Sequence, residues 1–416
     1  MLRNAFFTFD DLWDIKVKFW MPDLLKISFI FFLILFLLKK RLNIGLVMSI
    51  AGGALFILYQ MPFPLILRTC ENAVLNDVTI KLILALSLIR IFELILREKA
   101  VLAEMMSTVK ALFKKRKIII MSMPLLIGLM PSVGGAYFSA PMVAETTSDI
   151  KISPEQKSFI NYWFRHPWEY ILPLYPGILL ASAISRIELY NLIIANLICA
   201  VLMLITGLVF AMHNVKGMLK TENKPEKKGL LSFIPILAVL LPVLIFRIEL
   251  HYALIAVVLS LLLFYKYSLK SIFNALKHGF SIEVIILILG VMFFKEAMEN
   301  SGAVKNLSQF FIKEGIPVFP VLFLLPFITG LLTGITVGFV ASTFPLVISM
   351  TETISLGSIS FAFAAGFLGV LLSPVHICLI LTKEYFKADL WGIYKKMIPA
   401  CIIVFCGAIV AYLILK

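Results

Sequence analysis

Four short interruptions stand out in an otherwise apolar chain. Two are rich in Gly, Ser and Thr: Pro131-Ser132-Val133-Gly134-Gly135-Ala136 and Thr333-Gly334-Ile335-Thr336-Val337-Gly338. Two are punctuated by proline: Pro173-Leu174-Tyr175-Pro176-Gly177 and Ser373-Pro374-Val375-His376. Within hydrocarbon, non-helical backbone is tolerated only inside protein or beside a water-filled cavity. Freed carbonyls and hydroxyls are hard oxygen ligands suited to a sodium-like cation. Helix N-termini with unpaired N–H groups favour an anion, a carboxylate included, and glycine lets backbone approach a ligand closely. These residues predict a binding site centred on Ser132, Gly134, Gly135, Thr333, Gly334 and Thr336, with Ser373 and His376 beside it. Ser132, Gly135, Thr333 and Tyr175 are the candidate cation ligands. His376 falls at a break and titrates near neutral pH.

Charged residues inside apolar segments need a partner or a purpose. Arg90 and Glu93 are three apart on one helical face and are placed to pair. Lys295 and Glu296 hold the equivalent place later in the chain. Cys70, Cys199, Cys378, Cys401 and Cys406 show no CxxC or ligand spacing and read as buried thiols, so no metal and no cofactor is predicted. Segment 145–170, ETTSDIKISPEQKSFINYWFRHPWEY, is less hydrophobic. Its cluster of Asn161, Trp163, Arg165, His166 and Trp168 reads as an interfacial anchor or an arm carrying a moving hairpin.

The elements that must position these residues follow from composition. Of 416 residues 61% are apolar and 15% charged, and the mean hydropathy is +1.00. Both fractions depart from soluble globular norms and indicate an all-α polytopic membrane protein. Spans of about 20 apolar residues are expected near 24–38, 42–60, 78–96, 168–186 and 189–212. A second set is expected near 231–246, 249–265, 280–299, 358–382 and 396–415. Stretches 118–144 and 316–350 are interrupted centrally and read as re-entrant helical hairpins. Residues 1–26 read as an interfacial N-terminal segment with no cleavable signal.

With the N-terminus outside and hairpins that do not cross, 25 of the 38 Lys and Arg residues fall on cytoplasmic loops and 11 outside. That obeys the positive-inside rule, so the net charge of +14 reports topology and no nucleic-acid partner is expected. The basic linker 213–229 falls near the midpoint, on the cytoplasmic side. Across it Glu93 and Glu296 differ by 203, Gly128 and Gly330 by 202, and Pro173 and Pro374 by 201. Such offsets argue for an internal duplication, residues 27–212 against 230–416. Five crossings and one hairpin per copy is an odd count, which predicts an inverted-topology repeat of 10 spans and two hairpins, an arrangement suited to alternating access.

Three motifs, GLMPSVGGAYFSAPMV (128–143), NYWFRHPWEY (161–170) and GVLLSPVHICLILTKEYF (369–386), resemble an uncharacterised integral-membrane family of the ion transporter superfamily. That superfamily also holds permeases for gluconate, citrate, lactate and C4-dicarboxylates, and sodium/proton and arsenite carriers. The resemblance implies a homodimeric elevator-type carrier with a scaffold and a transport domain in each protomer. In the dicarboxylate carriers, Ser-Asn-Thr triplets at the hairpin tips hold sodium and carboxylate. The corresponding places here read Pro131-Ser132-Val133 and Thr333-Gly334-Ile335, where Ser132 and Thr333 keep a hydroxyl.

The expectation is a secondary transporter of a small organic anion in the cell inner membrane, with sodium or protons as coupling ion and membrane lipid as its surroundings. The alternative is a cation/proton antiporter or inorganic-anion exporter on the same scaffold. An enzyme is not expected: HExxH, GxSG with a partner histidine, and paired intramembrane aspartates are missing from the sequence. A channel would need rings of charge or a filter signature.

Overall fold

The computed structural model describes residues 22–131, 135–213, 215–218, 227–315, 317–350 and 355–416. Among these residues every regular element is helical, apart from one isolated antiparallel bridge, Lys115 to Met218. The first half holds α1 (Asp23–Lys39), α2 (Ile44–Leu58), α3 (Phe63–Leu75), α4 (Asp77–Glu98) and α5 (Val101–Leu112). It continues with α6 (Arg116–Gly128), α7 (Gly135–Thr146), α8 (Pro154–Arg165), a 3-10 turn (Pro167–Tyr170), α9 (Pro176–Ser185) and α10 (Leu189–Thr206). After the short α11 (Lys227–Leu231) come α12 (Ile234–Ile245), α13 (Leu250–Phe264), α14 (Leu269–Gly279), α15 (Ile282–Asn300) and α16 (Ala303–Lys313). The chain ends with α17 (Val318–Thr333), α18 (Thr336–Ser349), α19 (Leu356–Leu372), α20 (Ile377–Phe386) and α21 (Leu390–Leu415).

From α2 onward each helix has a counterpart beginning 201 to 206 residues later; Ile44 and Leu250, then Pro176 and Ile377, mark the extremes. Local signals recur in the same places. Ser153 caps α8 by accepting from Gln156 N, and Ser355 caps α19 by accepting from Ser358 N, each satisfying an N–H that the first helical turn leaves unpaired. Four short helices, α3, α5, α14 and α16, occupy stretches the hydropathy reading leaves as connections. They are amphipathic, with polar residues such as Asn72, Lys110, Lys277 and Lys305 interleaved among apolar ones, so a filter for long apolar runs passes over them.

Among the described residues, three helical stretches are long and apolar enough to cross a membrane by length and composition: Leu189–Ala211, Leu356–Phe386 and Leu390–Leu415. Others expected as full crossings are shorter, such as α2 and α13 at 15 residues each. The expected crossing at 168–186 is different in kind. It begins in a 3-10 turn, runs through a non-helical stretch at 171–175 and recovers only as the 10-residue α9. Pro167, Pro173 and Pro176 explain the interruption, since each lacks an N–H and disfavours helix in the residue before it. The full interrupted unit starts earlier, with α8. Residues 1–21 of the expected interfacial segment lie outside the described residues, and Asp23 already opens α1.

Small residues bring the helices together, as they often do where lipid supplies no hydrophobic drive between them. A Cβ on Gly45 would sit 2.0 Å from Ile286 O, and one on Gly290 would sit 1.9 Å from Gly45 O, so α2 and α15 touch backbone to backbone. Gly330 of α17 meets Gly366 O of α19 in the same way, and Gly369 meets Phe327 O. Helix α19 is buried along its length from Gly357 to Leu371. Large apolar side chains at the periphery, including Phe32, Ile57, Leu263 and Ile414, stay exposed, as a lipid-facing surface requires.

Candidate functional site

Helix α8 carries most of the site. Pro154 occupies its first turn, where a missing N–H costs nothing, and Pro167 ends it. Although its sequence is the least hydrophobic of the major helices, every residue from Ser158 to Arg165 is buried. The interfacial-anchor reading of this segment is therefore corrected. Its polar groups find partners inside the protein instead of water. Gln156 Nε2 donates to Ala211 O (2.8 Å), Trp163 Nε1 to Met203 O (2.8 Å) and Tyr162 OH to Leu371 O (3.0 Å). Asn161 Nδ2 donates both to Ala136 O (2.9 Å) and to Thr382 Oγ1 (3.1 Å). That one amide ties α7, α8 and α20 together. Trp168 Nε1 donates to Leu125 O at 2.8 Å.

The ionisable groups gather where α8 ends. His166 Nε2 lies 3.2 Å from His376 Nε2, and Arg165 Nη1 lies 3.2 Å from Cys378 Sγ. Glu169, in the 3-10 turn and 7% exposed, accepts from Thr336 Oγ1 at 2.6 Å and places its other oxygen 3.8 Å from His166 Nε2. Arg165 and His166 are 2% and 0% exposed. Burying a charge is tolerable only when it is paired or hydrogen-bonded; Glu169 has Thr336 and His166 as partners, and Arg165 has the Cys378 sulfur.

The second half supplies the other wall. Gly334 ends α17 with φ +64, the left-handed conformation that only glycine adopts without strain. Its O accepts from His376 Nδ1 at 2.6 Å, and a Cβ there would meet His376 N at 2.9 Å. The same turn frees the start of α18, so Thr336 faces Glu169. Gly177, at the start of α9, packs on Thr336; a Cβ would lie 2.4 Å from Thr336 Cγ2.

The predicted residues thus divide. The structure brings Gly334, Thr336 and His376 into one cluster, with Ser373 at its edge accepting from Val375 N (3.3 Å). Tyr175 donates to Gly128 O at 2.6 Å, tying the first break to the end of α6. Thr333 Oγ1 donates to Thr329 O of its own helix (2.8 Å). Gly135 is buried as the first residue of α7, while Ser132 and Gly134 lie outside the described residues. The Arg90–Glu93 pairing is corrected: Arg90 Nη1 donates to Ser281 Oγ (2.9 Å), and Glu93 faces Arg97 one turn on (3.5 Å). Lys295 Nζ lies 3.1 Å from both Glu296 Oε1 and Glu299 Oε1. That network borders a separate polar cleft of about 390 Å³, lined by Glu71, Asn72, Leu75, Asn76, Arg186 and Glu296.

Glu169, Cys378 and Tyr162 join the site without having been singled out as site residues, and Arg165 and His166 enter it instead of the interface. The signal for Glu169 is available: a carboxylate between Pro167 and Pro173 in an apolar stretch is as costly as Arg90 or Glu93. His376 and Cys378 flank one residue at the matching break, a spacing that gains meaning once His166 is folded against it.

A family model matches residues 23–415. The chain belongs to the DUF401 family of proteins of unknown function. No curated protein matches it in sequence. Among solved structures, this DUF401 chain is similar to the YdaH transporter of Alcanivorax borkumensis, whose crystal structure is described as revealing an unusual topology. The match covers 84% of this chain and 86% of that one at a TM-score of 0.53 and 13% identity. At that identity the likeness is one of fold, in keeping with an all-helical membrane protein.

Proposed function

We propose that this protein is a secondary active transporter of a small organic anion, coupled to Na+ or H+ and working by alternating access. The observation that carries the reading is the convergence of the α17–α18 turn and the breaks that follow α8 and precede α20 on one buried polar cluster, to which the α6–α7 pair is tied through Gly128 and Ala136. The N-termini of α18 and α20 meet there, with the N-terminus of α9 against Thr336. Each presents unpaired N–H groups and a positive dipole end. Arg165 adds a full positive charge beside them. Such a setting holds a carboxylate without water, and the fold is one that a transporter also uses.

In this reading the repeated helix order is an inverted-topology repeat of the ion transporter superfamily, each copy contributing a re-entrant hairpin. The protein is a homodimer in the cell inner membrane, with linker 213–229 cytoplasmic. Scaffold and transport domains move past one another in the elevator manner. The substrate site is drawn from Ser132, Gly134, Gly135, Thr333, Gly334, Thr336, Ser373 and His376. Coupling of Na+ would use Ser132, Gly135, Thr333 and Tyr175.

The test is uptake into proteoliposomes. A panel of labelled mono-, di- and tricarboxylates is offered under a Na+ gradient, a pH gradient and neither, alongside thermal-shift measurements. We expect one carboxylate class to raise Tm and to accumulate under one gradient, and Thr336→Val to lower both responses. Ion-gradient-driven cation flux with no carboxylate response would replace the proposal with the antiporter alternative.

A further inference from the structure

The two ring nitrogens of each clustered histidine have different duties. His376 Nδ1 lies 2.6 Å from Gly334 O, and His166 Nδ1 lies 2.6 Å from Tyr162 O. A carbonyl oxygen only accepts, so each Nδ1 carries the hydrogen. In the neutral rings each Nε2 then presents a lone pair, and these two atoms face each other at 3.2 Å. Lone pairs held that close repel unless an electron-poor centre sits with them. Cys378 Sγ completes a trio, its ligand atom and the two histidine nitrogens all lying within 4.8 Å of one another. Arg165 Nη1, 3.2 Å from that sulfur, favours the thiolate that a metal requires.

We propose that His166, His376 and Cys378 bind a borderline-soft divalent cation of the Zn2+ class through two Nε2 atoms and Sγ. In a tetrahedral site with Zn–N near 2.0–2.1 Å, two coordinating nitrogens stand roughly 3.3 Å apart, which the observed 3.2 Å matches. Imidazole and thiolate donors select zinc-like ions over Na+, Mg2+ or Ca2+. The Nδ1–H bonds to Gly334 O and Tyr162 O are the outer contacts that fix tautomer and orientation in histidine metal sites. Among the described residues, Glu169 offers a carboxylate for a fourth position, its Oε1 3.8 Å from His166 Nε2.

The donors come from both breaks. His166 follows the last turn of α8, while His376 and Cys378 open α20. A bound ion would therefore clamp the two halves of the chain at the cluster. With the ion bound, a divalent cation and the Arg165 guanidinium would face one thiolate and the Glu169 carboxylate. The remaining single positive charge suits a buried anion site. That consequence rests on the transport reading; the metal site does not.

The test uses full-length protein in detergent, stripped with a chelator and titrated with Co2+. We expect one equivalent to bind, with a thiolate-to-cobalt charge-transfer band that Zn2+ abolishes by displacement. Cys378→Ser removes the band, and His166→Gln and His376→Gln weaken Co2+ binding roughly tenfold or more. Cys70→Ser and Cys406→Ser leave it unchanged. Circular dichroism and gel filtration confirm that each variant is folded, and Cys378→Ser, being nearly isosteric, keeps the test open where a histidine variant fails to fold. A folded wild-type protein that takes up well below one equivalent of either ion overturns the proposal. So does a charge-transfer band that survives Cys378→Ser. An imidazole pair shown by NMR to keep sharing one proton in the presence of excess Zn2+ overturns it as well. Metal binding with no response to any carboxylate counts only against the transport reading.

Discussion

The two broken helices occupy matching places in the helix order and carry different loads. The first break runs from His166 to Tyr175 and is flanked or filled by Arg165, His166 and Glu169, all buried. The second is four residues, Ser373-Pro374-Val375-His376, and holds no full charge; Pro374 and Val375 are exposed. One break brings the charge, and the other brings one imidazole and, two residues on, the Cys378 sulfur to meet it. A matching helix order in the two halves thus frames one site rather than two. The asymmetry also says which substitutions should matter, because a buried charge is far less forgiving than an exposed turn.

The largest effect should come from unbalancing the charged break. Arg165→Met removes a buried cation whose Nη1 lies 3.2 Å from Cys378 Sγ, in the cluster that also buries Glu169. Breaking a buried charged network is among the costliest single changes, about 3 kcal/mol or more, so Tm in detergent should fall by many degrees. Pro374→Ala and Val375→Ala, at the equivalent place in the second half, should stay within about 0.5 kcal/mol of wild type. Equal losses at the two breaks, read by thermal unfolding, would erase the contrast.

A smaller effect separates two threonines three residues apart. Thr336 Oγ1 donates to the Glu169 carboxylate, while Thr333 Oγ1 donates to Thr329 O one turn back in its own helix. Thr336→Val keeps the shape and removes a hydrogen bond to a charged group, a loss of about 1.5–3 kcal/mol. Thr333→Val removes only a bond that competes with the helix's own, and should change stability by about 0.5 kcal/mol or less. If the two valines prove equal, the bond from the second half to Glu169 does not contribute to holding the breaks together.

Much of this architecture can be read before folding, and the failures have physical causes. The all-helical class follows from apolar runs too long for strands. Gly334 and the prolines at 167, 173 and 176 punctuate helices as glycine's positive φ and proline's missing N–H require. Helix α8 escapes a hydropathy reading because Gln156, Asn161, Trp163 and Arg165 look like surface residues; their partners, Ala211, Thr382, Met203 and Cys378, lie 40 to 221 residues away. Arg90 fails for the same reason. The i,i+3 rule sees Glu93 on its own helix, whereas the bond runs to Ser281, 191 residues on. Glu169 was as visible as any intramembrane charge, but its meaning depended on Thr336 and His166 being folded against it.

The smallest expected effect tests whether the asymmetry extends to the approaches of the helix pairs. Arg116, at the start of α6, makes a bidentate contact with Asp149, Nη1 to Oδ1 at 2.6 Å and Nη2 to Oδ2 at 2.5 Å. It ties the α6–α7 pair to the loop before α8. The counterpart helix, α17, starts at Val318 and has no matching ion pair among the described residues. The guanidinium holds the Asp149 carboxyl below the usual carboxylate range. A folded-state pKa that is depressed contributes stability above the unfolded value, near 3.9, and loses it as pH falls through the folded value. The Tm difference between wild type and Asp149→Asn should therefore be small, flat from about pH 5 to 8, and should shrink below about pH 4. It should also shrink with added salt, because Asp149 is solvent-exposed. A difference that grows on acidification would mean that Asp149 is not held by Arg116, and that the two helix pairs are approached alike.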